Sequence, residues 1–168
     1  LGVGPSPSPD NVIPNLINAG RKPITAIAGA SYFDSALSFG MIRGGHIDAT
    51  VIGALQVSQE GDLANWKVPG KDVLGPGGAM DLVVGAREVV VAMQHVAKDG
   101  TPKIVRRCTM PITAYRAVHL LVTEYAMFRF ACGRMILVER TADTPLEKIR
   151  SLTDADYEVS DDLLVREV

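Results

Sequence analysis

The chain has 168 residues, of which 47 % are hydrophobic and 21 % charged, and its net charge is −2 at pH 7. That composition supports one domain with a real core and argues against disorder. The slightly acidic balance argues against a general nucleic-acid binder, and no apolar run approaches the length of a membrane span.

In chain order, the opening LGVGPSPSPD has two glycines and three prolines in ten residues and reads as a turn. NAGRKP (residues 18–23) then sets Arg21 and Lys22 after a glycine, either as a solvated turn or as a phosphate contact. ITAIAG (24–29) reads as a short buried strand. The following helical pattern has Ser31 and Asp34 at capping-box spacing and Gly44-Gly45 to close it. His46 reads as structural, and Asp34 and Asp48 as cap or turn groups.

DATVIGAL (48–55) is a second strand-like run, EVVVAMQH (88–95) a third and KIVRRC (103–108) a weaker fourth. Between the second and third lies a long turn-rich segment carrying GDLANW, whose Trp66 is a packing anchor or a pocket wall. PITAYRAVHLLVTE (111–124) reads as an amphipathic helix, and MFRFACGRMILVER (127–140) as a hairpin turning at Cys132-Gly133. TPLEKIRSLT offers a helix start with Thr144 as N-cap, Pro145 at N1 and Glu147 at N3. Cys108 and Cys132 have no metal spacing and read as free thiols in a reducing cytoplasm.

Alternating strands and helices predict an α/β fold: an open, mostly parallel sheet with flanking helices, in one domain over 1–168. In such sheets ligands bind in loops beyond the carboxyl ends of the strands. GPGGAMDL (75–82) is the most informative loop. Gly75, Gly77 and Gly78 give backbone freedom and allow close approach of a ligand, and a helix-compatible run follows. Free N–H groups there can hold an anion or a developing oxyanion; the plain alternative is a turn closed for packing alone. An isomerase-like α/β protein acting on sugar phosphates is a further alternative, but the acid–base pair it needs is not evident.

LINAG, GASYFDSALSFGMIRGGHID, IGALQV, GDLANW, VPGK, GGAMDL and AKDGTPKIVRRCTMPIT stand in one order along nearly the whole chain. Together they resemble the B subunit of two-subunit 3-oxoacid CoA-transferases of the succinyl-CoA:3-ketoacid type. The resemblance implies the CoA-transferase fold and an active site shared with an A subunit. It also implies ping-pong transfer of CoA through a glutamyl thioester, as in ketone-body and short-chain fatty-acid metabolism. The nucleophilic glutamate of that family stands in a Glu-x-Gly turn just ahead of a segment like LGVGP, so it is expected immediately upstream of Leu1. The 168 residues are then the C-terminal portion of a B subunit, inactive by themselves.

The same resemblance assigns the Gly78 backbone N–H to the thioester oxygen and places Gly77, Ala79 and Met80 beside the substrate. Arg21 falls near the CoA, where relatives often have Lys, and Gly2 and Gly4 support the glutamate turn. It implies coenzyme A as substrate rather than a permanently bound cofactor, and no metal. The expected partners are the A subunit, an acyl-CoA and a short 3-oxoacid such as acetoacetate, in a cytoplasmic homo- or hetero-oligomer. Acetyl- or butyryl-CoA as donor, and a non-catalytic fragment that only binds its partner, are the alternatives.

Overall fold

The computed structural model describes residues 1–18, 20–68, 70 and 75–167. Pro69 and Lys71 of the VPGK motif, and Ala19 of NAGRKP, lie outside the described residues. The chain divides into two compact units, Leu1–Ser38 and Phe39–Val168.

The first unit is held by a few backbone bridges, Val3 with Ala26 and Ile17 with Pro23. The strand expected at 24–29 does not form as a strand. Gly4 N–H donates to Thr25 O and Thr25 N–H to Pro5 O, but the facing prolines at 5, 7 and 9 have no N–H to extend a ladder. Gly29 at φ +84° then turns the chain away. Of the run only Ile24 is buried, and Ile27 is exposed.

Helix α1 (Ser35–Arg43) begins in the first unit and ends in the second. Its N-cap is Asp34 rather than Ser31: the Asp34 carboxylate accepts the Leu37 N–H at 2.8 Å, and its carbonyl accepts from Ser38. The C-terminal end is closed as expected. Gly45, at φ +71°, donates its N–H to Ile42 O while His46 donates to Met41 O, the paired bonds of a Schellman turn.

The second unit carries strands β1 (Ala49–Ile52), β2 (Gln56–Ser58) and β3 (Leu63–Ala64), helix α2 (Ala79–Gly85), then β4 (Glu88–Ala92) and β5 (Ile104–Val105). It continues with β6 (Leu120–Val122), β7 (Ala126–Ala131), β8 (Arg134–Thr141), α3 (Leu146–Leu152) and β9 (Glu158–Arg166). Six strands form an open sheet in the order β1-β4-β6-β7-β8-β9. The pairs β1–β4, β4–β6 and β8–β9 are parallel, and β6–β7 and β7–β8 antiparallel. A smaller sheet runs β3-β2-β5. The fold is thus α/β with a mixed, mostly parallel sheet, as the sequence pattern predicted.

The core lies between the two sheets and α3. Val89 and Val91 of β4, two residues apart and so on one face, meet Leu121, Phe128 and Leu137 of the neighbouring strands. Val57, Leu63 and Ile104 join from the small sheet and Ile149 from α3, and all of these side chains are fully buried. Burying a side chain of this size stabilises by roughly 1.5–3 kcal/mol.

The predicted helix at 111–124 is instead an extended loop running into β6. Its backbone groups have distant partners: Thr113 N–H donates to Leu63 O at 2.7 Å, and Ala117 and Val118 N–H both donate to Gly61 O. Arg116 sits at φ +49°, outside the helical region. β-branched Ile112, Thr113, Val118, Val122 and Thr123 also weaken helical propensity. The helix predicted from Thr144 starts one residue later, with Pro145 as N-cap. Thr144 is buried, and its hydroxyl accepts from Thr141 Oγ1 at 2.9 Å instead of capping. The hairpin forms where predicted, with Cys132 and Gly133 at φ +52° and +72° between β7 and β8.

Candidate active site

The glycine loop leads directly into α2. In a parallel unit, a helix entering the next strand at its N-terminal end must begin near the carboxyl ends of the strands. Gly75 and Gly77 have φ of +132° and +58°, which only glycine adopts at little cost, and a side chain at either would meet no described residue within 4 Å. Gly78 is different. It is the N-cap of α2 at φ −82° and ψ 3°, a backbone open to any residue. The expectation that Gly78 needs glycine's backbone freedom is therefore corrected: what it needs is room. A Cβ built on Gly78 would lie 2.5 Å from Phe39 Cζ and 2.7 Å from Phe39 Cε1.

Ala79 opens α2, and Leu82 N–H closes the first turn on Gly78 O at 3.1 Å. Met80 is about half exposed. The structure thus brings Gly75, Gly77, Gly78, Ala79 and Met80 together on one loop and one helix turn.

Three residues not singled out from the sequence hold this turn. Phe39 lies over Gly78, and Ile42 O lies where a side chain on Gly85 would start. Arg43 Nε donates to Asp81 Oδ1 at 2.7 Å. That hydrogen bond holds the Asp81 carboxyl below its ordinary range and raises the Arg43 guanidinium. In the sequence, Phe39, Ile42 and Arg43 are three and four residues apart on α1, and Gly78, Asp81 and Gly85 are three and seven apart along the loop and α2, so each set shares a face, but no local spacing joins one set to the other.

The other predicted site residues belong to the first unit. Gly2, at φ +85°, packs against Ala30, where a Cβ would lie 2.8 Å from Ala30 Cα. Gly4 faces the Thr25 hydroxyl with no room for a side chain. Arg21 is exposed at φ +60°, in a turn where its N–H donates to Asn18 O and the Asn18 carboxamide accepts from Lys22 N–H.

Two open clefts of the second unit, about 460 and 550 Å³, are both lined by Arg116 and Glu60, which pair at 3.0 Å. Neither is lined by any residue of the glycine loop. His46 is exposed, and its backbone N–H serves the helix end. Asp48 pairs with Arg87 at 3.1 Å on the surface. Trp66 is half-buried, with the Lys67 ammonium 5.9 Å from its ring. Both cysteines are free thiols; burial, with Asp62 nearby, pushes Cys108 up to about 11.

His95 is the fully buried ionisable side chain that sequence reading passed over. Its Nδ1 lies 3.0 Å from Thr123 Oγ1 and its Nε2 2.8 Å from Thr153 Oγ1. Thr153 donates its own proton to Ile149 O at 2.7 Å, so it receives one from Nε2. Thr123 already accepts the Ala126 N–H, and its proton lies between Ala126 O at 3.2 Å and Nδ1 at 3.0 Å, the acceptor a neutral ring leaves open. This pattern fits a neutral ring protonated on Nε2. Burial pulls the His95 pKa down to about 4, against a smaller opposing pull from Glu124. Among the described residues, no group of three His, Cys, Asp or Glu side chains is placed to hold a metal. Nor is any helix among them long and apolar enough to cross a membrane.

The Coenzyme A transferase family matches residues 1–148. The chain belongs to that family. It is 56 % identical over 163 residues to the beta subunit of the acetate CoA-transferase of Escherichia coli K12, covering 97 % of this chain and 74 % of that one. It is 51 % identical over 164 residues to the B subunit of a probable succinyl-CoA:3-ketoacid coenzyme A transferase of Bacillus subtilis, covering 98 % and 76 %. The acyl-CoA transferase YdiF of Escherichia coli O157:H7 superposes with a TM-score of 0.73 at 22 % identity, over 89 % of this chain and 33 % of that one. At that identity the likeness is one of fold. The chain thus spans about three quarters of those two bacterial subunits and about a third of the YdiF chain.

Proposed function

We propose that the chain is the C-terminal portion of the B subunit of a CoA-transferase that moves CoA from succinyl-CoA to a short 3-oxoacid such as acetoacetate. The observation that carries this reading is the identity, above one half along almost the whole chain, to subunits named for CoA transfer. The nucleophile is a glutamate just ahead of Leu1, and an A subunit completes the site. CoA is a substrate that comes and goes, and the enzyme works in the cytoplasm as an oligomer.

In this scheme the glutamate carboxylate attacks the thioester carbonyl. The tetrahedral oxyanion collapses to an acyl-glutamyl anhydride and expels CoA thiolate. The thiolate attacks the glutamyl carbonyl, giving the glutamyl-CoA thioester and the free acid. The second acid then reverses both steps, and no net proton is consumed. The Gly78 N–H, which has no hydrogen-bond acceptor among the described residues, donates to the oxygen that gains charge; losing one such donor costs roughly 2.7–4 kcal/mol of transition-state stabilisation. Gly77, at φ +58°, aims that turn. Ala79 and the half-exposed Met80 line the approach of the acyl group. Arg21 meets the CoA phosphates as an exposed cation, and Gly2 and Gly4 shape the turn behind the glutamate.

A second reading takes acetyl- or butyryl-CoA as the donor to acetoacetate, and the name of the 56 % identical relative favours its acetyl form. The test is an assay of the assembled two-subunit enzyme with succinyl-CoA and with acetyl-CoA against acetoacetate, with mass spectrometry for a glutamyl-CoA adduct. Higher kcat/KM with succinyl-CoA supports the first reading, higher kcat/KM with acetyl-CoA the second, and turnover with no adduct overturns the covalent route. The 168-residue chain alone should show no transfer; turnover near that of the assembled enzyme would mean that the active site is misplaced.

A further inference from the structure

We propose that Phe39 and the Arg43–Asp81 pair are positioning residues that set the direction of the Gly78 N–H. The proposal rests on the reading of Gly78 given above. Helix α2 has seven residues, too few to hold a helical turn unaided, so its first turn is oriented by what it packs against. Three contacts with one face of α1 do this. The Phe39 ring occupies the space above Gly78, so the loop cannot move toward α1 without a clash. The Ile42 carbonyl fills the equivalent space at Gly85, at the far end of α2. Between them, the 2.7 Å bond from Arg43 Nε to Asp81 Oδ1 fixes the slide and rotation of α2 along α1. Two steric stops set the separation of the helices, and one directional bond sets their register. Asp81 suits the task because its charge is also favourable in the first turn of a helix.

An oxyanion donor works only at hydrogen-bond distance from where the charge develops, so a small displacement of this turn removes the benefit without removing the substrate pocket. Loss of the clamp should therefore lower kcat and leave KM nearly alone.

The experiment uses the assembled two-subunit enzyme and expresses kcat per active site titrated by glutamyl-CoA formation, so that unfolded protein is not counted. Arg43→Gln and Phe39→Leu are each expected to lower kcat by roughly tenfold to a hundredfold. The KM for acyl-CoA should stay within about twofold. Arg43→Lys, which keeps the charge and an N–H, should recover most of the loss. Replacing the Gly78 peptide amide with an ester removes the N–H and adds no atom against Phe39; it should lower kcat at least as far as either clamp variant. If the ester is impaired but Arg43→Gln and Phe39→Leu keep wild-type kcat, the positioning proposal fails and the reading of Gly78 stands. If the ester keeps wild-type kcat, the reading of Gly78 fails, and the proposal with it.

Discussion

The ring of Phe39 occupies the place that any side chain at Gly78 would need: a Cβ there would lie 2.5 Å from Phe39 Cζ. Glycine at this position is required by a neighbour, not by its own backbone, and this changes what a substitution should do. Gly78→Ala should cost roughly 1–3 kcal/mol of stability by overpacking. Gly78→Val should cost more and depress both folding and turnover. Phe39→Leu in the same chain should relieve part of the cost of Gly78→Ala, a coupling of about 1 kcal/mol in a double-mutant cycle. Gly70, at φ +81° with no described residue within 4 Å of a Cβ built on it, is the contrasting case. Gly70→Ala should cost about 1–2 kcal/mol, and Phe39→Leu should leave that cost unchanged. Denaturant unfolding of the six variants measures the stabilities and an assay of the assembled enzyme the turnover, and strict additivity of Gly78→Ala with Phe39→Leu would show that the ring simply moves aside.

A second prediction follows from His95. Its folded pKa, about 4, lies below the ordinary value of 6.5. The unfolded chain therefore binds the proton first as pH falls. Stability is complete above about pH 6.5, declines as pH drops through the interval, and stops declining on this account below about pH 4. The full linkage is about 3 kcal/mol. Depressed carboxylates such as Asp81, Asp99 and Asp143 lose their contributions only as pH falls below the ordinary carboxylate value of 3.8, so the window from 6.5 to 4 isolates the histidine. His95→Gln should be less stable at pH 7 but flatter across that window. Thermal midpoints at half-unit pH steps test this, and parallel curves for the two proteins would show that His95 titrates normally.

What the sequence made legible depended on how local the determining contact was. The β7–β8 hairpin was legible because its turn is two adjacent residues between alternating runs. The end of α1 was legible because Gly44-Gly45 closes its own last turn. Residues 111–124 were misread as a helix because their backbone partners, Gly61 and Leu63, lie about fifty residues earlier. Thr144 was misread as a cap because its hydroxyl turns inward to Thr141, a preference that no spacing rule records. In the glycine loop the turn at Gly75 and Gly77 was visible, since positive φ is a property of the residue itself. The Phe39 and Arg43 clamp was not, because it joins positions about forty residues apart. His95 was passed over for the same reason: Thr123, just after β6, and Thr153, at the end of α3, meet it only in the folded chain.

Leu1, Val3, Ile13, Ile17 and Ile27 of the first unit are all exposed large apolar side chains. Their number in so short a segment predicts that the purified 168-residue chain associates in solution. Sedimentation velocity over a wide concentration range should show dimers or larger species. A clean monomer throughout would mean that these side chains are tolerated singly.

The hairpin tip carries the last prediction. Ala131 and Arg134 are the final pair of β7 and β8, which leaves Cys132 and Gly133 as a two-residue loop. Both have positive φ, +52° and +72°, the requirement of the turn that matches strand twist. Gly133 meets that requirement freely, whereas a left-handed backbone at an ordinary L-residue costs roughly 1–2 kcal/mol. Asn adopts this conformation more readily, and Asn-Gly is the preferred pair for such a loop. Cys132→Asn should therefore stabilise the chain by a few tenths to about 1 kcal/mol. Cys132→Val should destabilise it by a comparable or larger amount, because a β-branched side chain is least tolerant of positive φ. Cys132→Ser, close in size and without the thiol, separates backbone effects from the chemistry of an exposed cysteine and should stay near wild type. Denaturant midpoints at constant slope are the measurement. If Val and Asn prove equally stable at position 132, the left-handed turn is not what holds the two strands in register.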